Sequence, residues 1–187
     1  MKTYLNNKES IRTEIKQKKS EISQTDIIEF SDEVISVLEC TDVFAKAKCI
    51  LAYFSLPDEV QTHGFIEKYC KEKNFLLPVV KGDDLEIRSF NGISEMVKTA
   101  PFGILEPVGD AFTDLTKIDL VVVPGVAFDR KLRRLGRGKG YYDKLLPKIK
   151  ATKMGVCFDF QLLDQIPIDN HDIVMDMVVA QNEIIFA

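Results

Sequence analysis

The sequence predicts a three-layer α/β domain, a mostly parallel mixed sheet held between helices. Three observations carry this expectation. The runs CILAYF (49–54), FLLPVV (75–80), IDLVVVP (118–124) and MGVCF (154–158) are apolar apart from Asp119, as strands are when both of their faces are covered. Helical stretches alternate with these runs, the pattern of helices laid on both sides of a sheet. The 187 residues, 45% hydrophobic and 29% charged, suffice to bury a core without disulfides or a structural metal.

The elements follow in order. Ile11, Ile15 and Ile22 form a sparse apolar stripe on a strongly charged first helix. Ser23 and Asp26 resemble a capping box that opens a second helix, with Ile27, Ile28, Val34, Ile35, Val37 and Leu38 as its buried face. CILAYF is the first strand, and a helix is expected from Thr62 to Lys73. FLLPVV is the next strand. A turn at Gly82–Asp84 leads into LEIRSF (85–90), whose alternation marks a half-exposed strand. IDLVVVP and MGVCF complete the buried strands, separated by a helix from Gly140 to about Ile149. No repeat or Gly/Ser linker interrupts the chain, so one domain spanning residues 1–187 is expected, with the two N-terminal helices packed on it. In sheets of this kind ligands sit beyond the C-terminal strand ends, which directs attention to the loops after Phe54 and Val123.

Composition excludes several classes. The net charge is 25 − 29 = −4, against the basic surplus of most nucleic-acid binders. No apolar run approaches the ~18 residues needed to span a bilayer, and MKTYLNNKES lacks the apolar core of a secretory signal. Cys40, Cys49, Cys70 and Cys157 form no C-x-x-C pair and lie in apolar contexts, which reads as reduced core thiols in a cytoplasmic protein. His63 and His171 have no second histidine or cysteine at ligand spacing, so no zinc site is expected.

The loop GVAFDRKLRRLGRGKGYYD (125–143) is the most informative stretch. Arg130 to Tyr142 contains six basic residues and no acid. Gly136, Gly138 and Gly140 alternate with Arg137 and Lys139, so backbone N–H groups can approach an anion while the cations supply charge. Lying between a buried strand and an apolar-periodic stretch, the loop is expected to bind phosphate through Arg137 and Lys139. Neither a Walker A loop nor a dinucleotide fingerprint fits: Gly140 follows Lys139, and the glycine spacing is G-x-G-x-G. A basic surface turn and an RNA-binding patch with Tyr141 and Tyr142 as stacking platforms remain open readings from the loop alone. Asp143 follows the loop, and Asp176 is one of six acids in residues 151–187. Spacing does not separate a magnesium ligand from a helix-terminal acid at Asp143.

RLGRGKGYYD (134–143), preceded by VVPGVAFD (122–129), resembles the signature of the 5-formyltetrahydrofolate cyclo-ligase family, also called 5,10-methenyltetrahydrofolate synthetases. KESIR (8–12), FSLPDEV (54–60), PFGILEP (101–107) and IPIDNHDIVMDMVV (166–179) are similar to further elements of that family, in the same order along nearly the whole chain. The resemblance implies a Rossmann-like fold akin to the sugar-phosphate isomerase and CoA-transferase-like folds. It implies an ATP- and Mg²⁺-dependent ligase that converts 5-formyltetrahydrofolate to 5,10-methenyltetrahydrofolate. Such an enzyme would have small-molecule substrates and no nucleic-acid or membrane partner, and would act as a monomer.

Carried over by position, Lys8 and Arg12 become ATP contacts, on one helix face by their i, i+4 spacing. Arg134, Leu135, Gly136, Arg137, Gly138, Lys139, Gly140, Tyr141 and Tyr142 become the nucleotide loop, with Arg137 and Lys139 as the catalytic cations. Arg137 through Tyr141 also border the folate, and Phe54 and Glu59 contact it. Asp143 and Asp176 become magnesium ligands. Leu132, where the family usually has glycine, and Ala180, where many members have threonine, depart from the pattern. A sugar-phosphate isomerase or acyl-CoA transferase, holding a substrate phosphate without ATP, is the rival enzyme class.

Overall fold

The computed structural model describes residues 7–99, 103–170 and 172–187. His171, and Pro101 and Phe102 of the PFGILEP element, lie outside the described residues.

Helix α1 (Lys8–Ser20) is capped by Asn7, whose side-chain oxygen accepts from Ser10 N at 2.8 Å, and it buries Ile11 and Ile15. Helix α2 (Gln24–Glu39) opens on Ser23, whose hydroxyl accepts from Asp26 N at 3.1 Å. Its face is Ile27, Val34, Ile35 and Leu38, with Val37 packed at the margin. Ile28 does not belong to that face and is 51% exposed. It lies ~100° around the helix from Ile27, which turns it off the core stripe. Helix α3 (Asp42–Lys46) follows, capped by Thr41.

The chain then alternates through β1 (Cys49–Leu51), α4 (His63–Tyr69), β2 (Asn74–Lys81) and β3 (Asp84–Ser89). The hairpin β4 (Met96–Thr99) and β5 (Ile104–Pro107) comes next. Then come β6 (Leu120–Pro124), β7 (Ala127–Asp129), β8 (Arg134–Leu135) and α5 (Tyr141–Leu145). The last elements are β9 (Thr152–Val156), β10 (Leu162–Leu163), β11 (Met177–Val179) and β12 (Ile184–Phe186). Both expected inner helices are shorter than the sequence suggests. The helix after Gly140 is a single α-turn followed by a 3₁₀ turn, Leu146–Lys148. Pro147 has no N–H for a continuing α ladder.

Among the described residues the main sheet has seven strands in the order β12-β11-β9-β6-β1-β2-β3. The five inner strands are mutually parallel, and β12 and β3 close the edges antiparallel. Alternate residues of the inner strands enter two different cores. Ile50, Leu120 and Val122 meet α2, α3 and α4 on one face. Leu51, Val121 and Val123 meet Leu145, Leu146 and Ile149 on the other. The uniformly apolar strand sequences follow from this double covering. Helix α1 packs elsewhere: Ile11 and Ile15 meet Ala127, Leu135 and Ile166 at the small sheet β10-β7-β8.

From β1 the chain crosses to β2 on one side, and it later returns to place β6 on the other side. The crevice beyond the C-terminal ends of β1 and β6 is therefore the topological switch point of the sheet. Phe128 plugs its floor. A Cβ at Gly125 or Gly155 would stand 2.6 or 2.4 Å from the Phe128 ring, so these positions must lack a side chain.

The cysteines divide. Cys49 and Cys157 are buried, whereas Cys40 is exposed and Cys70 half-buried. The expectation of four core thiols therefore fails at Cys40 and Cys70, which lie at the C-terminal ends of α2 and α4.

Leu132 is the only non-glycine residue described with a left-handed backbone, at φ 63°, which accounts for the glycine usual at this place in the family pattern. Its side chain is buried in the second core, and its carbonyl accepts from Met175 N at 2.8 Å. Burial offsets a backbone cost of about 1–2 kcal/mol. Leu132→Ala is expected to lose about 2–5 kcal/mol by leaving a cavity while keeping the strain. Leu132→Gly is expected to be the more stable of the two variants by about 1 kcal/mol, the reverse of the usual alanine–glycine order. Urea unfolding of both variants checks this, and an alanine variant more stable than the glycine variant would refute it.

Candidate functional site

The loop from β7 to α5 is organised by one buried acid. Asp129 is fully buried. Its carboxylate accepts from Lys131 N at 2.9 Å, Arg133 N at 3.0 Å and Ile166 N at 2.8 Å. Three backbone N–H groups and the Arg133 guanidinium at 3.9 Å satisfy a charge that would otherwise be costly to bury. This hub turns the chain back into β8 and ties the 166–172 segment to it.

Arg134 then points inward beneath the glycines. Its Nη2 donates to Asp143 Oδ1 at 2.7 Å and its Nη1 to Pro124 O at 3.3 Å, while the Tyr142 ring lies 5.4 Å from the guanidinium carbon. Its Nε is enclosed without a partner among the described residues. A Cβ at Gly136 would come within 2.9 Å of Nη1, so this glycine gives the buried arginine its space. Gly138 (φ 98°) and Gly140 (φ 70°) adopt left-handed backbones on either side of Lys139, a conformation open to glycine at little cost. Lys139 is exposed, lines the crevice and has no polar partner among the described residues. Leu135 is core, packed against Ile11 and Ile15, so only its backbone is available to a ligand.

Arg137 reaches across the switch point. Its Nε and Nη2 donate to Glu59 Oε1 at 3.1 and 2.9 Å, and its Nη2 donates to Asp58 Oδ1 at 2.8 Å. Lys19 joins from α1 with its ammonium on the Asp58 carbonyl at 2.5 Å and its carboxylate at 3.3 Å. Burial opposes the Asp58 charge, but Lys19 and Arg137 outweigh it and hold the carboxyl below its ordinary pKa. Burial also opposes the Arg137 charge, and Glu59 and Asp58 outweigh it and raise the arginine. Lys19 itself is lowered, because burial outweighs Asp58.

These groups surround a cavity of about 320 Å³, within the range of small-molecule sites. One wall is Phe54, Leu56 and Glu59 from the β1 loop; another is Pro78, Val80, Leu85 and Leu105; the third is the glycine loop with Tyr141, Tyr142 and Asp143. Phe54 is stacked on His63 with ring centroids 3.7 Å apart. His63 is lowered from its ordinary pKa chiefly by burial, so a neutral imidazole backs the ring. Burial likewise raises the Tyr142 phenol. Tyr141 donates to Gly82 O at 3.2 Å.

Apart from Leu135, the expected site residues fall into four groups. Phe54, Glu59, Arg134, Gly136, Arg137, Lys139, Gly140, Tyr141, Tyr142 and Asp143 line one cavity. Arg12 and Gly138 adjoin it: Arg12 Nε donates to Gly136 O at 3.0 Å, and its guanidinium lies against Gly138. Lys8, one turn before Arg12, pairs with Asp169 at 2.7 Å and Asp172 at 2.5 Å. Burial works against its charge, and these two carboxylates outweigh that and raise its pKa.

Asp176 is not brought to the site. It precedes β11 at the N-terminal edge of the sheet, where its carboxylate accepts from Lys153 N at 2.7 Å. The cavity lies at the opposite, C-terminal edge, so Asp176 cannot share an ion with Asp143. The acid placed beside the Lys8–Arg12 face is instead Asp172. Lys19, Asp172 and Glu106, a buried acid on β5, were not singled out from the sequence. Lys19 reads there as one more solvated cation in KQKKS, and only the packing of α1 reveals its burial.

Asp129→Ala is expected to cost more than about 3 kcal/mol, because three buried N–H groups lose their acceptor at once. Urea unfolding measures it; a loss under about 1 kcal/mol would show that the loop does not depend on this carboxylate.

The model of the 5-formyltetrahydrofolate cyclo-ligase family matches residues 4–181. A mouse protein named 5-formyltetrahydrofolate cyclo-ligase is 29% identical over 191 residues, covering 94% of each chain. The solution structure of 5,10-methenyltetrahydrofolate synthetase from Aquifex aeolicus superposes with a TM-score of 0.86 at 34% identity, covering 96% of this chain and 92% of that one. A synthetase of the same name from Mycoplasma pneumoniae, at 22% identity and a TM-score of 0.74, covers 92% of this chain and 97% of its own and shares the fold. The motif match of the glycine loop, the switch-point crevice and these likenesses agree: the chain belongs to the 5-formyltetrahydrofolate cyclo-ligase family.

Proposed function

We propose that this enzyme converts 5-formyltetrahydrofolate to 5,10-methenyltetrahydrofolate, using Mg-ATP and releasing ADP and phosphate, as a cytoplasmic monomer. The observation that carries the reading is the bridge at the switch point. Arg137 of the glycine loop meets Glu59 of the β1 loop, so an anion-binding surface and a carboxylate-lined apolar slot share one cavity. A nucleotide triphosphate suits the first and a reduced pterin suits the second.

The chemistry asks for positioning and charge neutralisation and needs no protein nucleophile. An N-formyl carbon is a poor electrophile. The formyl oxygen takes the γ-phosphoryl group, breaking the bond to ADP and leaving phosphate as a leaving group on that carbon. N10 attacks the carbon and gives up its proton, the C–O bond breaks, and phosphate departs with the former formyl oxygen. Lys139, exposed and without a polar partner among the described residues, is the cation to meet the transferring phosphoryl group. Arg12 supports the loop from α1 through Gly136, and Lys8 extends the same face toward the polyphosphate. Phe54 supplies the apolar wall and Glu59 an acceptor for ring N–H groups.

Asp143 fits a magnesium site. One oxygen is fixed by Arg134, and the other has no protein partner among the described residues. Mg²⁺ takes one or two carboxylates and completes its shell with water and phosphate oxygens; Asp172 is the second candidate by its place beside Lys8. When bound, the ion neutralises charge on the phosphates.

Mixing the purified protein with 5-formyltetrahydrofolate and Mg-ATP is expected to produce methenyltetrahydrofolate absorbance, with none when ATP or Mg²⁺ is omitted. Turnover without ATP would refute the reading. Lys139→Ala is expected to lose roughly 10- to 150-fold in kcat/KM for ATP in a folded protein, the effect of one charge-assisted contact. In the same assay Asp143→Asn is expected to raise the Mg²⁺ concentration needed, whereas Asp176→Asn leaves the Mg²⁺ titration unchanged. The opposite pattern would return the metal role to Asp176.

A further inference from the structure

We propose that Glu106 is a second carboxylate of the folate slot, and that it reads the 2-amino and N3–H edge of the pterin ring. This rests on the folate reading above and adds a recognition residue to it.

Glu106 lies on β5 and is 7% exposed. One of its oxygens accepts from Val80 N at 3.1 Å. The second has no protein partner among the described residues, and it is not sealed off, since among those residues the one enclosed side-chain polar atom without a partner is Arg134 Nε. No described lysine or arginine pairs with Glu106. The cavity it lines also has Tyr53, Pro78, Leu85 and Leu105 in its wall, and the Tyr53 hydroxyl is committed to Val60 O at 3.0 Å. A carboxylate can accept about four hydrogen bonds. Holding one in so apolar a wall leaves it under-solvated, and a ligand that brings N–H donors restores the balance.

The other acid of the cavity is differently placed. Glu59 Oε1 takes two hydrogen bonds from Arg137, and Oε2 takes Leu56 N at 3.0 Å. Its capacity is largely spent on the protein. A reduced pterin offers more donors than the remainder can match: a 2-amino group beside N3–H on one edge, and N8–H on another. Two adjacent parallel donors match the two oxygens of a carboxylate. Of the two acids, Glu106, with no cation partner among the described residues, is the better partner for that edge.

The test pairs a residue change with a ligand change. Wild type, Glu106→Gln and Glu59→Gln are titrated with 5-formyltetrahydrofolate and with its analogue carrying hydrogen in place of the 2-amino group. ATP binding serves as the folding control, and Gln retains an acceptor for Val80 N. In the wild type the analogue is expected to bind about tenfold or more weaker. In Glu106→Gln that ratio is expected to fall below about threefold, while Glu59→Gln keeps most of it. An undiminished ratio in Glu106→Gln, or a ratio lost only in Glu59→Gln, would overturn the proposal while leaving folate binding in place. Failure of the wild type to bind 5-formyltetrahydrofolate would overturn the functional reading and this inference with it. Should Glu106→Gln fail to bind ATP, a structure of the wild type with 5-formyltetrahydrofolate decides. An amino nitrogen within about 3.2 Å of a Glu106 oxygen supports the assignment, and a pterin edge turned away from it refutes it.

Discussion

The site depends on the buried carboxylate of Asp129. By accepting from three backbone N–H groups it folds residues 129–133 into a tight return and holds Ile166 against them. Everything downstream takes its place from that return. Strand β8 pairs with β7 and offers Leu135 to α1. Arg134 dives under the glycines, and Asp143 is held by it. Met175 N is caught by the Leu132 carbonyl, which brings the segment carrying Asp169 and Asp172 toward Lys8. A strained leucine at the centre of this return is tolerated because its side chain is buried where its backbone is least favoured. Interactions in a dry interior also hold more tightly than those at the surface, so the loop is anchored from below and open above.

The electrostatics explain how an acidic chain can hold a polyanion. Most of the cations at the crevice are already paired: Arg134 with Asp143, Arg137 with Asp58 and Glu59, Lys8 with Asp169 and Asp172. The acids keep the cations in place and offset much of their mutual repulsion. On the proposed function, binding a nucleotide would be an exchange of partners, in which phosphate oxygens compete with protein carboxylates. The Arg137–Glu59 bridge is the contact that both substrates would disturb. The Arg137–Glu59 ion pair joins the glycine loop to the β1 loop, so it links the two halves of the cavity.

Much of the architecture was legible because it follows from local patterning. Strands covered on both faces must be apolar, and CILAYF and, after Asp119, LVVVP are. Ser23 could be read as a cap because a short hydroxyl side chain before an apolar-periodic stretch has few other uses. The glycine loop was legible through its match to a family signature, since its glycines and cations alone leave a basic surface turn and an RNA-binding patch open. Other features depend on distant packing. Lys19 looks like any cation of a charged helix until Asp58 closes over it. Asp176 and Asp172 lie four positions apart in one acidic segment, and only the strand direction of β11 shows that one sits at the wrong end of the sheet. The apolar periodicity of YYDKLLPKI points to a longer helix than the one turn that Pro147 allows. Glu106 lies in a short hairpin strand, where nothing local distinguishes a ligand-facing acid from a solvated one.

On the proposed reaction, the cavity joins a phosphate donor to a formyl oxygen. The most direct measurement is the fate of that oxygen. 5-Formyltetrahydrofolate labelled with ¹⁸O in the formyl group is turned over with Mg-ATP, and the inorganic phosphate is analysed by mass spectrometry or by the isotope shift of its ³¹P resonance. The account predicts one ¹⁸O atom per phosphate released. Unlabelled phosphate, with the label recovered in water, would mean that ATP is hydrolysed without phosphorylating the formyl group and would contradict it.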